Sequence, residues 1–84
     1  MLGAAGQLAE LQQSVTALGP RAALLDRTLA RVRKDLQAGS LAHVRIDLTN
    51  FQGQVRSETG RAVPPAAAGQ LIASAQQIQA VIGC

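Results

Sequence analysis

Residues 20–39 of the chain read PRAALLDRTLARVRKDLQAG, and this stretch decides the fold class. Large aliphatic residues recur in it at intervals of three and four, which places them on one face of a helix. These residues are Leu25, Leu29, Val32 and Leu36, with Leu24 beside them. Pro20 suits the first turn of a helix and Gly39 suits the position after its end, so the pattern predicts a helix between them.

Three further segments show the same periodicity and are separated by Gly and Pro. One covers residues 7–18 and stops at Gly19, another follows Ser40, a favourable N-cap residue, and stops at Gly60, and the last begins at about Ala66. Val63-Pro64-Pro65 precedes the last segment as an extended turn. Their apolar stripes are Leu8, Leu11, Val15 and Leu18; then Leu41, Val44, Leu48, Phe51 and Val55; then Leu71, Ala75, Ile78 and Ile82.

Short connections between the last three segments force neighbouring helices to run antiparallel. We therefore predict an all-α protein, an antiparallel three-helix bundle with a short additional N-terminal helix and four helices in total, as a single domain over residues 1–84. The helix at residues 7–18 either packs on the other three or enters from an upstream domain. Packing is favoured, because each aliphatic side chain that it buries stabilises by about 1.5–3 kcal/mol. The shared seam is predicted to centre on Leu29, Leu48, Phe51 and Leu71.

The composition argues against several classes of function. The chain has 84 residues and a formal net charge of +3, but only 15% of its residues are charged and Phe51 is its single aromatic residue. A domain of this size buries about 60–65% of its unfolded surface, which leaves little stability for a strained catalytic site. Nucleic-acid binding is disfavoured, because such domains concentrate more Lys and Arg and often add aromatic stacking residues.

No catalytic residue, metal ligand set or cofactor motif is predicted. His43 is the single histidine, and its i,i+4 relation to Asp47 suggests an ordinary surface pair. The acidic residues are scattered singly along the chain: Glu10, Asp26, Asp35, Asp47 and Glu58. Cys84 is the single cysteine, so no intrachain disulfide can form and no role is predicted for it. No apolar run approaches the roughly 18 residues of a membrane span.

The candidate binding surface is basic and lies on the helix of residues 20–39. Arg27, Arg31 and Lys34 follow at i, i+4 and i+7, opposite much of the Leu stripe, and Arg33 lies nearby. A solvated helix surface is one interpretation of these charges. The alternatives are a docking surface for an acidic protein or acidic polysaccharide and, less favoured, for nucleic acid.

Glutamine-rich segments offer a second surface. Gln12-Gln13 lie in the first helix, and Gln76-Gln77 with Gln79 lie in the last. Neutral polar side chains next to Ala and Ile can be covered by another helix without a large desolvation cost. Self-association, or docking to a neighbouring domain, through the last helix is therefore an alternative to a plain polar outer face.

Residues 24–82 resemble the FIMAH domain, a small helical module appended to secreted bacterial proteins. The resemblance lies in Leu25-x3-Leu29-x6-Leu36-x2-Gly39, in the run LTNFQGQV at residues 48–55, and in Gly69-x-Leu71-Ile72-x2-Ala75-x2-Ile78. Residues 7–18 match less closely and form an accessory N-terminal helix. The resemblance implies a non-catalytic accessory module of a larger secreted or cell-surface protein, and it supplies no ligand.

Two functions follow as expectations. The first is a non-catalytic interaction or spacer module of a secreted or cell-surface bacterial protein, which binds other proteins, acidic polysaccharide or neighbouring domains through helix faces. The alternative is a free-standing small helical protein that self-assembles into an oligomer or filament, as the aliphatic and weakly charged composition suggests. The expected location is secreted or cell-surface, and otherwise cytoplasmic.

Overall fold

The computed structural model describes residues 3–61 and 63–82 and contains four α-helices. They are α1 (Ala4–Thr16), α2 (Ala23–Gln37), α3 (Leu41–Glu58) and α4 (Pro65–Val81), and a 3₁₀ turn at Pro20–Ala22 leads into α2. The predicted all-α fold with four helices is confirmed. Cys84 lies outside the described residues.

The helices form a closed ring in which α1 packs on α2, α2 on α3, α3 on α4, and α4 on α1. Each connection is short, so each helix runs antiparallel to the one before it. The prediction that the N-terminal helix packs against the others is confirmed, because Leu8, Leu11 and Val15 are all buried. α1 is therefore a full member of the bundle.

The core is aliphatic with one aromatic residue at its centre. The predicted seam residues Leu29, Leu48, Phe51 and Leu71 are all buried, as the spacing of the stripes predicts. Phe51 lies on α3 and is the largest fully buried side chain. Leu36 and Ile82, at the ends of their stripes, are only partly buried against this core.

Glycines in the left-handed region end the first three helices. At the end of α2, Gly39 has φ +78°, its N–H donates to the Leu36 carbonyl at 3.1 Å, and the Ser40 N–H donates to the Asp35 carbonyl at 2.9 Å. This is the Schellman arrangement, which needs a residue with positive φ. Gly19 and Gly60 have φ of +90° and +86° in the corresponding connections.

Ser40 is the N-cap residue of α3, as predicted, and its carbonyl accepts from the Val44 N–H at 3.0 Å. Its side chain makes no capping hydrogen bond, and its backbone N–H also closes the end of α2 by donating to the Asp35 carbonyl. The prediction that Leu41 belongs to the buried stripe is wrong, because this residue is 41% exposed. It is the first residue of α3 and lies at the end of the bundle, where fewer neighbouring side chains can cover it.

Candidate functional site

The outer side of α2 carries a cluster of cations. Arg27, Arg31 and Lys34 are all exposed, and at about 100° per residue they lie within an arc of roughly 60° on the side away from the core. We call these three residues the basic face. Its position follows from the sequence, because the buried residues Leu25, Leu29 and Val32 fix the orientation of the helix.

Arg33, the fourth residue of the predicted binding surface, lies apart from the basic face. It is exposed on the flank of α2 that faces α1. There it lines a shallow groove of about 580 Å³ together with Asp26 of the same helix and Gln13 and Thr16 of α1. The structure therefore brings together three of the four predicted residues and places Arg33 on a different side of α2.

The other flank of α2 borders a second groove. This groove has a volume of about 500 Å³ and lies between α2 and α3, with Arg31 at its edge and Thr28, Asp47 and Gln54 among its lining residues. The Thr28 hydroxyl is 2.7 Å from Gln54 Oε1 and 3.1 Å from the Leu24 carbonyl oxygen. The shorter contact joins the two helices, and it fixes their relative register.

Asp47 is buried, which the sequence analysis did not predict. Its side chain is 8% exposed, so the prediction that it lies on the surface is wrong, whereas its electrostatic interaction with His43, one turn earlier, is present. Burial raises the pKa of Asp47 above its usual value, and a hydrogen bond with the Asp35 carboxyl and the charge of that group raise it further. The positive charges of Arg31 and His43 act in the opposite direction but do not prevail.

The Asp35–Asp47 pair also corrects the prediction that all acidic residues are isolated. The two residues are 12 positions apart and belong to different helices. No spacing within one helix signals such a pair, because it depends on the register between α2 and α3. The sequence gives a signal only when the two helices are considered together. Each aspartate lies beside the apolar stripe of its own helix, on the side where the other helix packs.

Glutamine side chains join α3 to α4. Gln52 is buried, and its Nε2 donates to Gln79 Oε1 at 3.1 Å. Gln79 Nε2 in turn donates to the Arg45 carbonyl oxygen and to Thr49 Oγ1, each at 3.2 Å. Gln79 was predicted to belong to an outer polar face, and it is instead half-buried and bound to α3. Gln76 and Gln77 are exposed, so they remain available on the outer side of α4.

Charge is distributed unevenly around the bundle. α4 contains no charged residue between Pro65 and Val81, and α1 contains one, Glu10. The remaining charges of the four α-helices lie in α2 and α3, and three cations of α2 form the basic face. The exposed charges of these helices are therefore concentrated on one side of the bundle.

Comparisons with protein-family models, with curated proteins and with solved structures give no match. Within residues 3–61 and 63–82, no three His, Cys, Asp or Glu side chains come together in a way that could hold a metal ion. In the same residues, no helix combines the length and apolar character needed to cross a membrane.

Proposed function

We propose that this chain is a non-catalytic interaction module that binds an acidic partner through the basic face of α2. The observation that carries the proposal is the exposure of Arg27, Arg31 and Lys34 along one side of a helix whose opposite side is anchored in the core. The backbone is held by packing, so the three cations are presented at fixed spacings over about 10 Å. Preorganised charges of this kind favour encounter with an anionic surface.

The proposed partner is an acidic protein surface or an acidic polysaccharide. Each exposed ion contact contributes about 0.2–1 kcal/mol, so three contacts give modest affinity that weakens as salt is added. Nucleic acid is less favoured, because the single aromatic side chain, Phe51, is fully buried and cannot stack on bases.

The wider setting of the proposal is an accessory domain of a secreted or cell-surface bacterial protein. The stripe and loop residues in 24–82 that resemble the FIMAH domain support this setting. An accessory module binds a partner and thereby holds the domains attached to it close to that partner. It also separates them physically, and a rigid bundle with extents of 33 × 21 × 19 Å serves as a short spacer.

The test is retention on a heparin column at low salt, with heparin as the polyanionic probe. The triple variant R27Q/R31Q/K34Q should elute at clearly lower salt than the parent protein, because it removes the whole basic face. The matched control is R21Q/R56Q/R61Q, which removes the same charge from three exposed arginines outside α2. Equal losses in the two variants, or no loss in the first, would show that α2 is not the docking surface.

A second candidate function, self-association, is favoured by the absence of charge along α4. Two copies can bring this helix together without like-charge repulsion, whereas their basic faces repel one another. Light scattering over a concentration series measures this directly. A constant monomer mass at high concentration would exclude self-assembly, and a defined oligomer would favour it over the spacer role.

A further inference from the structure

The buried carboxyl of Asp47 lacks a donor for one of its oxygens. Its Oδ2 is inaccessible to solvent, and no N–H or O–H group of the described residues donates to it. A buried carboxylate oxygen without a hydrogen bond destabilises a fold, because the interaction with water that it loses is not replaced. The side chain therefore needs a proton donor nearby, or it needs a proton of its own.

The register of the two helices places the second carboxyl opposite the first. Thr28 and Gln54 are hydrogen-bonded across the α2–α3 contact. Asp35 lies seven residues after Thr28 and Asp47 lies seven residues before Gln54, so in an antiparallel pair both are about two turns along in the same direction. The two carboxyl groups are in hydrogen-bonding contact. A hydrogen bond between two carboxyl groups requires that one of them carries a proton.

We propose that Asp35 and Asp47 share a single proton and act as a clasp that holds α2 to α3 more firmly in mild acid than at neutral pH. Asp35 is half-buried and Asp47 is buried, so neither charge is well solvated. Two ionised carboxylates at this separation repel one another, whereas one carboxylic acid and one carboxylate form a short, charge-assisted bond. The clasp thus exists only while the proton is present.

Two other charged groups lie near the pair. Arg31 approaches from α2 and His43 from α3, and both favour the ionised form of Asp47. Both side chains are exposed, so solvent screens their charges. Burial and the Asp35 carboxyl prevail over them, and the net effect is a raised pKa for Asp47.

The sign of the pH dependence follows from the raised pKa. The proton is held more tightly in the folded chain than in the unfolded chain, where Asp47 has an ordinary pKa near 3.8. The stabilisation from the clasp is complete below that ordinary value and is lost as the pH rises through the raised folded value. Above that pH, two mutually repelling carboxylates remain at the α2–α3 contact.

The test compares unfolding of the parent protein with D47N and D35N between pH 4 and pH 7.5. Asn can donate to the remaining carboxylate at any pH, so each variant should unfold less readily than the parent at pH 7. We expect an unfolding constant lower than that of the parent by on the order of tenfold at pH 7, in line with an unpartnered buried carboxylate. The difference should shrink towards pH 4. The control D26N alters an exposed carboxylate of α2 and should keep the parent's pH profile.

A direct readout keeps the proposal testable if a variant fails to fold. Carbon-13 NMR of the aspartate carboxyl groups should show the Asp47 carboxyl titrating above the ordinary aspartate range in the parent protein and no longer doing so in D35N. Titration of Asp47 in the ordinary aspartate range in the parent would overturn the proposal. So would D47N and D35N variants whose stability follows the same pH profile as the parent.

Discussion

Truncation of Leu11 in α1 tests whether this helix is part of the cooperative core. Leu11 is 2% exposed, and Leu→Ala changes at such sites cost about 2.7–5 kcal/mol through lost transfer free energy and the cavity left behind. An 84-residue domain has roughly 4–13 kcal/mol of stability in total. L11A is therefore expected to remove about a fifth of the stability or more. At about 4–8 °C per kcal/mol, the melting temperature should fall by at least 10 °C.

The assay is urea unfolding followed by circular dichroism at 222 nm, with two matched Leu→Ala controls. L29A removes the same atoms from the fully buried stripe of α2 and should cost a similar amount. L24A removes them from a residue that is 50% exposed and should change stability by less than about 1 kcal/mol. An L11A variant that behaves like L24A, or that unfolds in two separate steps, would refute the conclusion that α1 shares the core.

The remaining predictions concern two glycines and one glutamine. Gly60→Ala should lower the free energy of unfolding by about 1–2 kcal/mol, because a residue with a Cβ is strained at φ +86°. The matched change Gly53→Ala lies in the middle of α3, where no atom is near the added Cβ, and it should raise the free energy of unfolding by up to about 1 kcal/mol. Thermal unfolding should show a lower melting temperature for the Gly60 variant and a higher one for the Gly53 variant. Changes in the same direction would contradict the argument that backbone conformation decides the effect. Gln79→Ala should cost about 1–3 kcal/mol, because it leaves the buried Gln52 amide without its acceptor. The Gln76→Ala control alters an exposed neighbour and should cost little, and similar losses in both would show that the α3–α4 hydrogen bonds do not matter.

The buried stripes of this fold can be predicted from the sequence because they depend on periodicity alone. Leu25, Leu29 and Val32 in α2, and Leu48 and Phe51 in α3, recur at helical intervals, and all five are buried. The positions of the loops follow from Gly and Pro, whose backbone preferences act locally. The basic face follows from the same periodicity, since it lies opposite a stripe whose orientation is already fixed.

Contacts between helices could not be predicted in the same way. The Asp35–Asp47 pair and the bonds of Gln79 depend on how far one helix is shifted along the next, and no repeat within a single helix encodes that shift. Arg33 shows that closeness in sequence does not place two residues on the same side of a helix. It is close in sequence to the basic face, but a step of one or two residues turns a side chain by about 100–200° around the axis and places it beside another helix.

The closed ring of helices has a consequence for the order in which the molecule assembles. Three of its four pairings join consecutive helices across connections of a few residues, whereas the α1–α4 pairing closes a loop of about 50 residues. The entropic cost of loop closure rises by about 0.6 kcal/mol per doubling of length, so this last pairing costs roughly 2 kcal/mol more to form than the others. We expect the hairpins to come first and the docking of α1 against α4 to complete the native state, at a rate typical of proteins with mostly local contacts.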